Sequence, residues 1–386
     1  PVGLEVSADS ARITNRYAFS DLSHLRAEVS LDGQASWQHL ELPEIRPGEA
    51  AEVELPTGDG PVVTVRLLTR EAQGPVPADH LIIAADHVDS GALAAALPAM
   101  SGAQSPQREE DGSWQLGPAR FDDLGRLVGL GDLAVESAGV DLYRAPVDNE
   151  RARTRYPLEA RWKRIGLDVA RRRLVGITPD PQEPTVLVIR TRIGLDGSAL
   201  GADVIERWSA DVSAASVEIT VTPSAFWPQD LPLPRIGWTM ALPEGPDQLE
   251  YEGYGPHECY PDTGGGVTFG TWTSSVADFQ GPYVFPQENG SRAGVVRAAL
   301  TGPGSGAGLE LRAERGLGLA VRPWSTAELD EKRHDGALRP DGRTWVTLSA
   351  ALHGVGSAAC GPVPLPQYVL SAREETFSFR LAPLSH

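Results

Sequence analysis

Short stretches in which apolar and polar residues alternate recur along almost the whole chain, and this period of two limits the fold more than any other feature. In LRAEVSLDG, Leu25, Ala27, Val29 and Leu31 alternate with polar neighbours, and Asp32-Gly33 supplies the positive φ values of a tight hairpin turn. ARITNRYAF alternates through Ile13, Asn15, Tyr17 and Phe19, AAEVELP through Ala51, Val53 and Leu55, and VVTVRLL through Val63, Val65 and Leu67. The 41 glycines and 32 prolines are scattered, so they mark turns between strands and not a disordered tract. Two stretches have helical propensity, 91–100 and 152–167, and Pro98 and Pro157 interrupt them.

The expected fold is all-β. A small immunoglobulin-like sandwich occupies residues 1–104, and a large antiparallel sheet structure occupies 107–384. The small, polar and charged stretch SGAQSPQREEDG reads as the linker between them. In the second region FDDLGRLVGL, TVLVIRTRIGL, ADVIERWSA, SVEITVTPSA, GLELRAERGLGLAVRPW and TWVTLSAAL read as strands. Regular alternation of strands and helices is absent, which excludes a (β/α)₈ barrel.

A formal net charge of −18 disfavours nucleic-acid and anionic-membrane partners, and it is compatible with a neutral substrate such as a sugar. No apolar run is long enough to cross a bilayer as a helix. The two cysteines, Cys259 and Cys360, exclude a thiolate-only zinc cluster and admit either one disulfide or two free thiols. The eight histidines lack the i, i+4 spacing of a helical zinc site, so no metal site is expected. The opening at Pro1, without a leader pattern, reads as a cut in a longer polypeptide, and the expected compartment is cytoplasmic.

Four segments gather carboxylates, amides, arginines and aromatics among glycines and prolines: LYRAPVDNE, YGPHECYPD, YVFPQENGSR and HGVGSAACGPVPLPQY. Such irregular loops on a rigid sheet are where binding groups usually sit. Their side chains suit sugar hydroxyls and sugar faces, and equally they suit ion pairs that order the loops. Candidate ligand-contacting residues are His257, Glu258, Glu288, Asn289, Arg292, His334 and Cys360. No residue of this chain is assigned a catalytic role, because nothing in the spacing brings two carboxylates together across a glycosidic bond.

These segments also resemble the C-terminal region of long-chain β-galactosidases of glycoside hydrolase family 2. RAPVDNE resembles that family's Arg-Ala-Pro-x-Asp-Asn-Asp signature, and GYGPHECYPD its Gly-x-Gly-Pro-x-Glu-x-Tyr-x-Asp signature. YVFPQENGSR is similar to its Tyr-x-x-Pro-Gln-Glu-x-Gly-x-Arg signature at Tyr283, Pro286, Gln287, Glu288, Gly290 and Arg292. The resemblance implies the family's fourth domain, then its fifth, a β-supersandwich related in fold to galactose mutarotases. It implies that the catalytic glutamates and the magnesium ligands lie on an upstream barrel of the same polypeptide. This part would then support and line a pocket for β-galactosides and share in subunit packing of a homo-oligomer. Three positions depart from the family pattern. Glu150 replaces an Asp, Thr263 an Arg, and Cys360 stands where the family has a Trp that stacks on sugar. The alternatives are an independent carbohydrate-binding module, or a mutarotase-like activity with His257 and Glu288, or His334 and Glu258, as acid and base.

Overall fold

The computed structural model describes residues 1–58, 60–95, 100–151, 157–243, 245–302, 307–356 and 363–385. The chain is all-β and divides into two compact units. The first comprises Pro1–Ala96 together with Glu252–His257 and Gly265–Trp272, and the second comprises Leu97–Tyr251, Glu258–Gly264 and Thr273–His386.

Seven strands form two sheets in the first unit: β1 (Val2–Val6), β2 (Ser10–Asn15), β3 (Leu25–Ser30), β4 (Gln38–Leu40), β5 (Ala50–Glu54), β6 (Val62–Thr69) and β7 (Leu81–Val88). One sheet runs β1-β2-β5 and the other β4-β3-β6-β7, both antiparallel, which is the seven-strand immunoglobulin-like arrangement. The alternation in the sequence maps onto the core: Ile13, Leu25, Ala27, Val29, Val65 and Leu67 are fully buried. Burying each large aliphatic side chain contributes about 1.5–3 kcal/mol.

Two local readings need correction. Phe19 does not continue the alternation, because β2 ends at Asn15 and Phe19 is almost wholly exposed. The Asn15 side chain stays inside by donating to the Ser20 and Ile45 carbonyls and accepting from the Tyr17 amide. The turn after β3 is also wider than a tight hairpin. It spans 31–37, and the positive φ values fall at Gly33 and Gln34, while Asp32 accepts hydrogen bonds from Ser30 and Ser36. Within the same unit Gln34 Nε2 donates to Thr268 Oγ1 (2.9 Å) and to the Phe269 carbonyl (2.8 Å), which ties residues distant in sequence to this fold.

Short strands open the second unit: β8 (Gln107–Arg108), β9 (Trp114–Leu116), β10 (Ala119–Phe121), β11 (Leu127–Leu130) and β12 (Leu133–Ala134) form a five-stranded sheet. The stretch read as a linker is therefore partly structured. Gln107–Arg108 pair with β9, and the Gln104 amide donates to the Ala210 carbonyl.

The twelve-stranded sheet comprises β13 (Glu136–Asp141), β14 (Arg171–Pro179), β15 (Leu187–Gly194), β16 (Gly201–Ala210), β17 (Ala215–Pro223), β18 (Arg235–Pro243), β19 (Gln248–Gly255), β20 (Thr268–Ser275), β21 (Arg292–Thr301), β22 (Ala307–Arg322), β23 (Arg343–Leu352) and β24 (Glu375–Ser385). Its main path runs β13-β18-β23-β22-β24-β17-β16-β15-β14, with β19, β20 and β21 branching from β22. Aromatic pairs fill its core, among them Phe121 edge-on to Trp208 at 5.0 Å and Trp238 against Phe379 at 5.1 Å.

The helices are short: α1 (Ser90–Ala95), α2 (Asp148–Arg151), α3 (Leu158–Arg164) and α4 (Thr326–Glu331). Asp89 Oδ1 caps α1 by accepting from the Gly91 and Ala92 amides, and α3 begins directly after Pro157. None of the described helices is long and apolar enough to cross a membrane.

Candidate functional site

All four loop segments contribute residues to one cleft in the second unit. Residues 147–149 after β13, 258–263 after β19, 283–288 before β21, and 355–356 after β23 line one open cleft of about 410 Å³. Proline and glycine keep these stretches out of the strands, so their backbone groups must be satisfied by side chains. Asp262 accepts from the Val355 amide (2.9 Å) and the Gly356 amide (2.7 Å), and Asn149 Nδ2 donates to the Val355 carbonyl (2.7 Å). Gln287 Oε1 accepts from the Asp148 amide at 3.0 Å. Glu258 accepts from the Tyr283 hydroxyl and from the Gly290 amide (2.8 Å), which joins the second and third segments.

A set of buried charges supports the cleft from below. Arg144, fully buried, makes a two-pronged pair with Glu150 at 2.7 and 2.9 Å, and Glu150 also accepts from the Val147 amide (2.8 Å). Glu288 pairs with Arg322 at 2.6 Å, and the same Arg322 nitrogen donates to the Asn289 carbonyl. Burial pushes the Glu288 carboxyl up, but Arg322, Arg235 and Arg144 outweigh it and hold the group below the usual carboxylate range. Burial works against the Arg322 charge as well, and Glu288 reverses this and raises it. Glu288 is thus an ionised carboxylate, its Oε2 buried and without a hydrogen-bond partner among the described residues.

Tyr260, whose hydroxyl lies 3.5 Å from Glu288, is raised by burial and by that charge, so it remains a neutral donor. Tyr283 is pushed up to about 12 by burial and Glu258. His353 is buried, its Nδ1 accepts from the Leu370 amide (3.2 Å), and burial with nearby Arg144 lowers it to about 4. It is a neutral imidazole at physiological pH.

Of the residues singled out from sequence, Glu258 and Glu288 line the cleft. Asn289 and Arg292 do not. Asn289 is buried, accepting from the Gly281 amide and donating to the Gln287 carbonyl, and Arg292 is buried over the Phe279 ring at 4.1 Å. His257 is exposed and counts with the first unit. His334 is exposed beside Asp335, where its Nδ1 accepts from the Gly336 amide. Cys360 lies outside the described residues, and Cys259 is buried as a free thiol.

Arg322 and Arg235, which set the charge of Glu288, were not singled out. Each stands alone in an apolar strand, in LAVRPW and LPRIGW, and an unpaired Arg in such a run signals a buried partner carboxylate.

The cleft offers the carboxylates of Asp148, Glu258 and Glu288, the amides of Asn149 and Gln287, and the hydroxyls of Tyr260, Thr263 and Tyr283. Among the described residues, no basic side chain lines it. Acceptors dominate, so the arrangement suits a ligand rich in hydroxyl donors. Among the described residues, no three or more His, Cys, Asp or Glu side chains converge as a metal site.

Residues 124–381 match the family profile described as beta galactosidase small chain, and residues 11–88 match beta-galactosidase, domain 4. The chain belongs to the β-galactosidase small-chain family. It is similar to the beta-galactosidase of Arthrobacter sp. (strain B7), with 31% identity over 290 residues that cover 69% of this chain and 28% of that protein. It is also similar to the beta-galactosidase of Kluyveromyces lactis, with 25% identity over 403 residues that cover 99% of this chain and 37% of that protein. The chain thus spans well under half the length of these relatives. Among solved structures, a putative aldose 1-epimerase from Escherichia coli K12 is similar at 11% identity and a TM-score of 0.38, over 74% of this chain and all of that one.

Proposed function

We propose that this chain is the non-catalytic C-terminal portion of a β-galactosidase, supporting and lining a galactoside pocket whose reacting carboxylates lie on an upstream barrel. One observation carries this reading: every carboxylate of the cleft that reaches its buried floor is already committed. Glu288 is held ionised by Arg322, and Glu258 accepts two hydrogen bonds that join two loops. A glycosidase needs one protonated carboxyl as acid and a second free to attack or to activate water. Glu288 is held in the wrong protonation state for the first role and is ion-paired against the second. Asp148 and Thr263, exposed at the rim, together with Tyr283 are the groups that would meet sugar hydroxyls. Magnesium and subunit packing belong, in this reading, to the assembled enzyme, with the magnesium ligands on the barrel.

The test is hydrolysis of a nitrophenyl β-galactoside by the purified chain beside an intact long-chain relative carrying Asp148→Ala at the matching position. The expected result is no turnover by the chain and a raised KM in the substituted enzyme. Turnover in proportion to the concentration of this chain alone would overturn the reading, and Glu258 and Glu288 would then be the first residues to replace.

A further inference from the structure

A second, larger cleft, of about 870 Å³, lies elsewhere in the second unit and shares no lining residue with the first. It forms where the two ends of the long sheet path come opposite each other. Among the described residues β13 pairs only with β18 and β14 only with β15, and residues 137–141 and Arg172 line the same space. A free strand edge carries backbone N–H and C=O groups without ladder partners. Such an edge could accept an added peptide strand, but here Arg172 crosses the gap. A Cβ at Gly139 would stand 3.6 Å from Arg172 Cδ, and the guanidinium donates to the Leu124 (2.7 Å) and Gly125 (2.9 Å) carbonyls beyond.

The side chains form a fixed polar floor. The Tyr143 hydroxyl donates to Asp330 Oδ2 at 3.0 Å, and Lys163 Nζ donates to Asp330 Oδ1 at 3.0 Å and to Glu159 at 3.0 Å. Asp141 accepts from Arg235 (2.9 Å) and Thr239 (3.2 Å). Trp345, half-buried, stands at the wall with its Nε1 tethered to Asp341. Four basic and four acidic side chains line the cleft, so their charges cancel. Balanced donors and acceptors that are already ordered, with one aromatic wall, fit neither an anion nor a cation. They fit a neutral polyhydroxyl ligand, and the volume is within the range of about 300–1,000 Å³ of small-molecule sites.

We propose that this cleft binds a neutral oligosaccharide, with Trp345 stacking on a sugar ring and the Tyr143–Asp330–Lys163 floor fixing its hydroxyls. The proposal stands apart from the proposed function, since it uses none of the residues of the first cleft. Lactose and cellobiose are titrated into the whole chain by calorimetry and saturation-transfer NMR, with Trp345→Ala and Asp330→Asn in parallel and circular dichroism as the check on folding. Saturable binding is expected for at least one sugar, weakened about tenfold, the equivalent of ~1.4 kcal/mol, by Trp345→Ala. Asp330→Asn keeps the shape of the floor and is expected to weaken binding in the same direction. If Asp330→Asn does not fold, the half-exposed Trp345→Ala still decides. No saturation by either sugar at about 50 mM would overturn the proposal. So would binding that both variants leave unchanged, or an extended peptide that protects the β13 amides from exchange.

Discussion

The two units bury different things. In the first, the buried interior is aliphatic, and among the described residues its buried polar ones, Asn15, Ser30, Thr64, Thr69 and Thr268, are all neutral. In the second, Arg144, Glu150, Glu206, Asp211, Arg235, Glu288 and Arg322 are buried as well, and several of them gather beneath the loops of the first cleft. A core of the first kind tolerates small losses one at a time, because each contact is non-directional. A buried charge set fails as a group, since removing one member leaves another desolvated and unpaired. The difference predicts where each unit is fragile.

The largest effect is expected from Glu288→Ala, which leaves Arg322 without its partner and removes the anion that offsets Arg144 and Arg235. The loss should be about 3–5 kcal/mol. Hydrogen exchange of β18 and β22 would report it, and the first unit should keep its protection. A loss no greater than that of a single methyl group would break the comparison.

Next comes a pH dependence of the second unit, carried by a buried histidine. His353 is about 4 when folded and near 6.5 when unfolded. Between these values the unfolded chain binds more protons, so stability rises with pH across that window, is complete above it and is lost as pH falls through it. The span should be about 3 kcal/mol. His353→Gln should flatten the slope. Glu288 acts at lower pH: its depressed carboxyl contributes stability that is present above the ordinary carboxylate range and lost as pH falls through its folded value. Equal slopes for the exchange of strands in both units would contradict the assignment.

The smallest effect belongs to the first unit. Ile13→Val removes one methylene from a fully buried site and should cost about 0.5–1.5 kcal/mol, independent of pH between 4 and 7. Slower or faster exchange limited to β1, β2 and β5 would sharpen the contrast, and a spread into β18 or β22 would blur it.

Much of the first unit was legible in the sequence. The alternation at Leu25, Ala27 and Val29, and at Val63, Val65 and Leu67, names the inward face directly, because the strand period is two and one face is apolar. Phe19 misled because an alternation cannot show where a strand stops. That was decided by Asn15, whose amide takes carbonyls from Ser20 and Ile45. The candidate site was legible in part. The loop segments declared themselves through their proline, glycine and carboxylate content, and Glu258 and Glu288 do share a cleft. The division of roles within one motif was hidden: in PQENGSR, Gln287 and Glu288 line the cleft while Asn289 and Arg292 turn inward to the Gly281 amide and the Phe279 ring.

By itself, the sequence determined an all-β chain of two regions, its family, and the loop segments that carry the polar groups. Those follow from local period, turn chemistry and motif, which are properties of neighbours along the chain. Only the tertiary structure decided that Arg322 meets Glu288 across 34 positions and Asp262 meets Gly356 across 94, and that β13 comes opposite β14 over a second cleft. Charge state, desolvation and cavity shape depend on what folding brings within a few ångströms, and no local pattern encodes that distance.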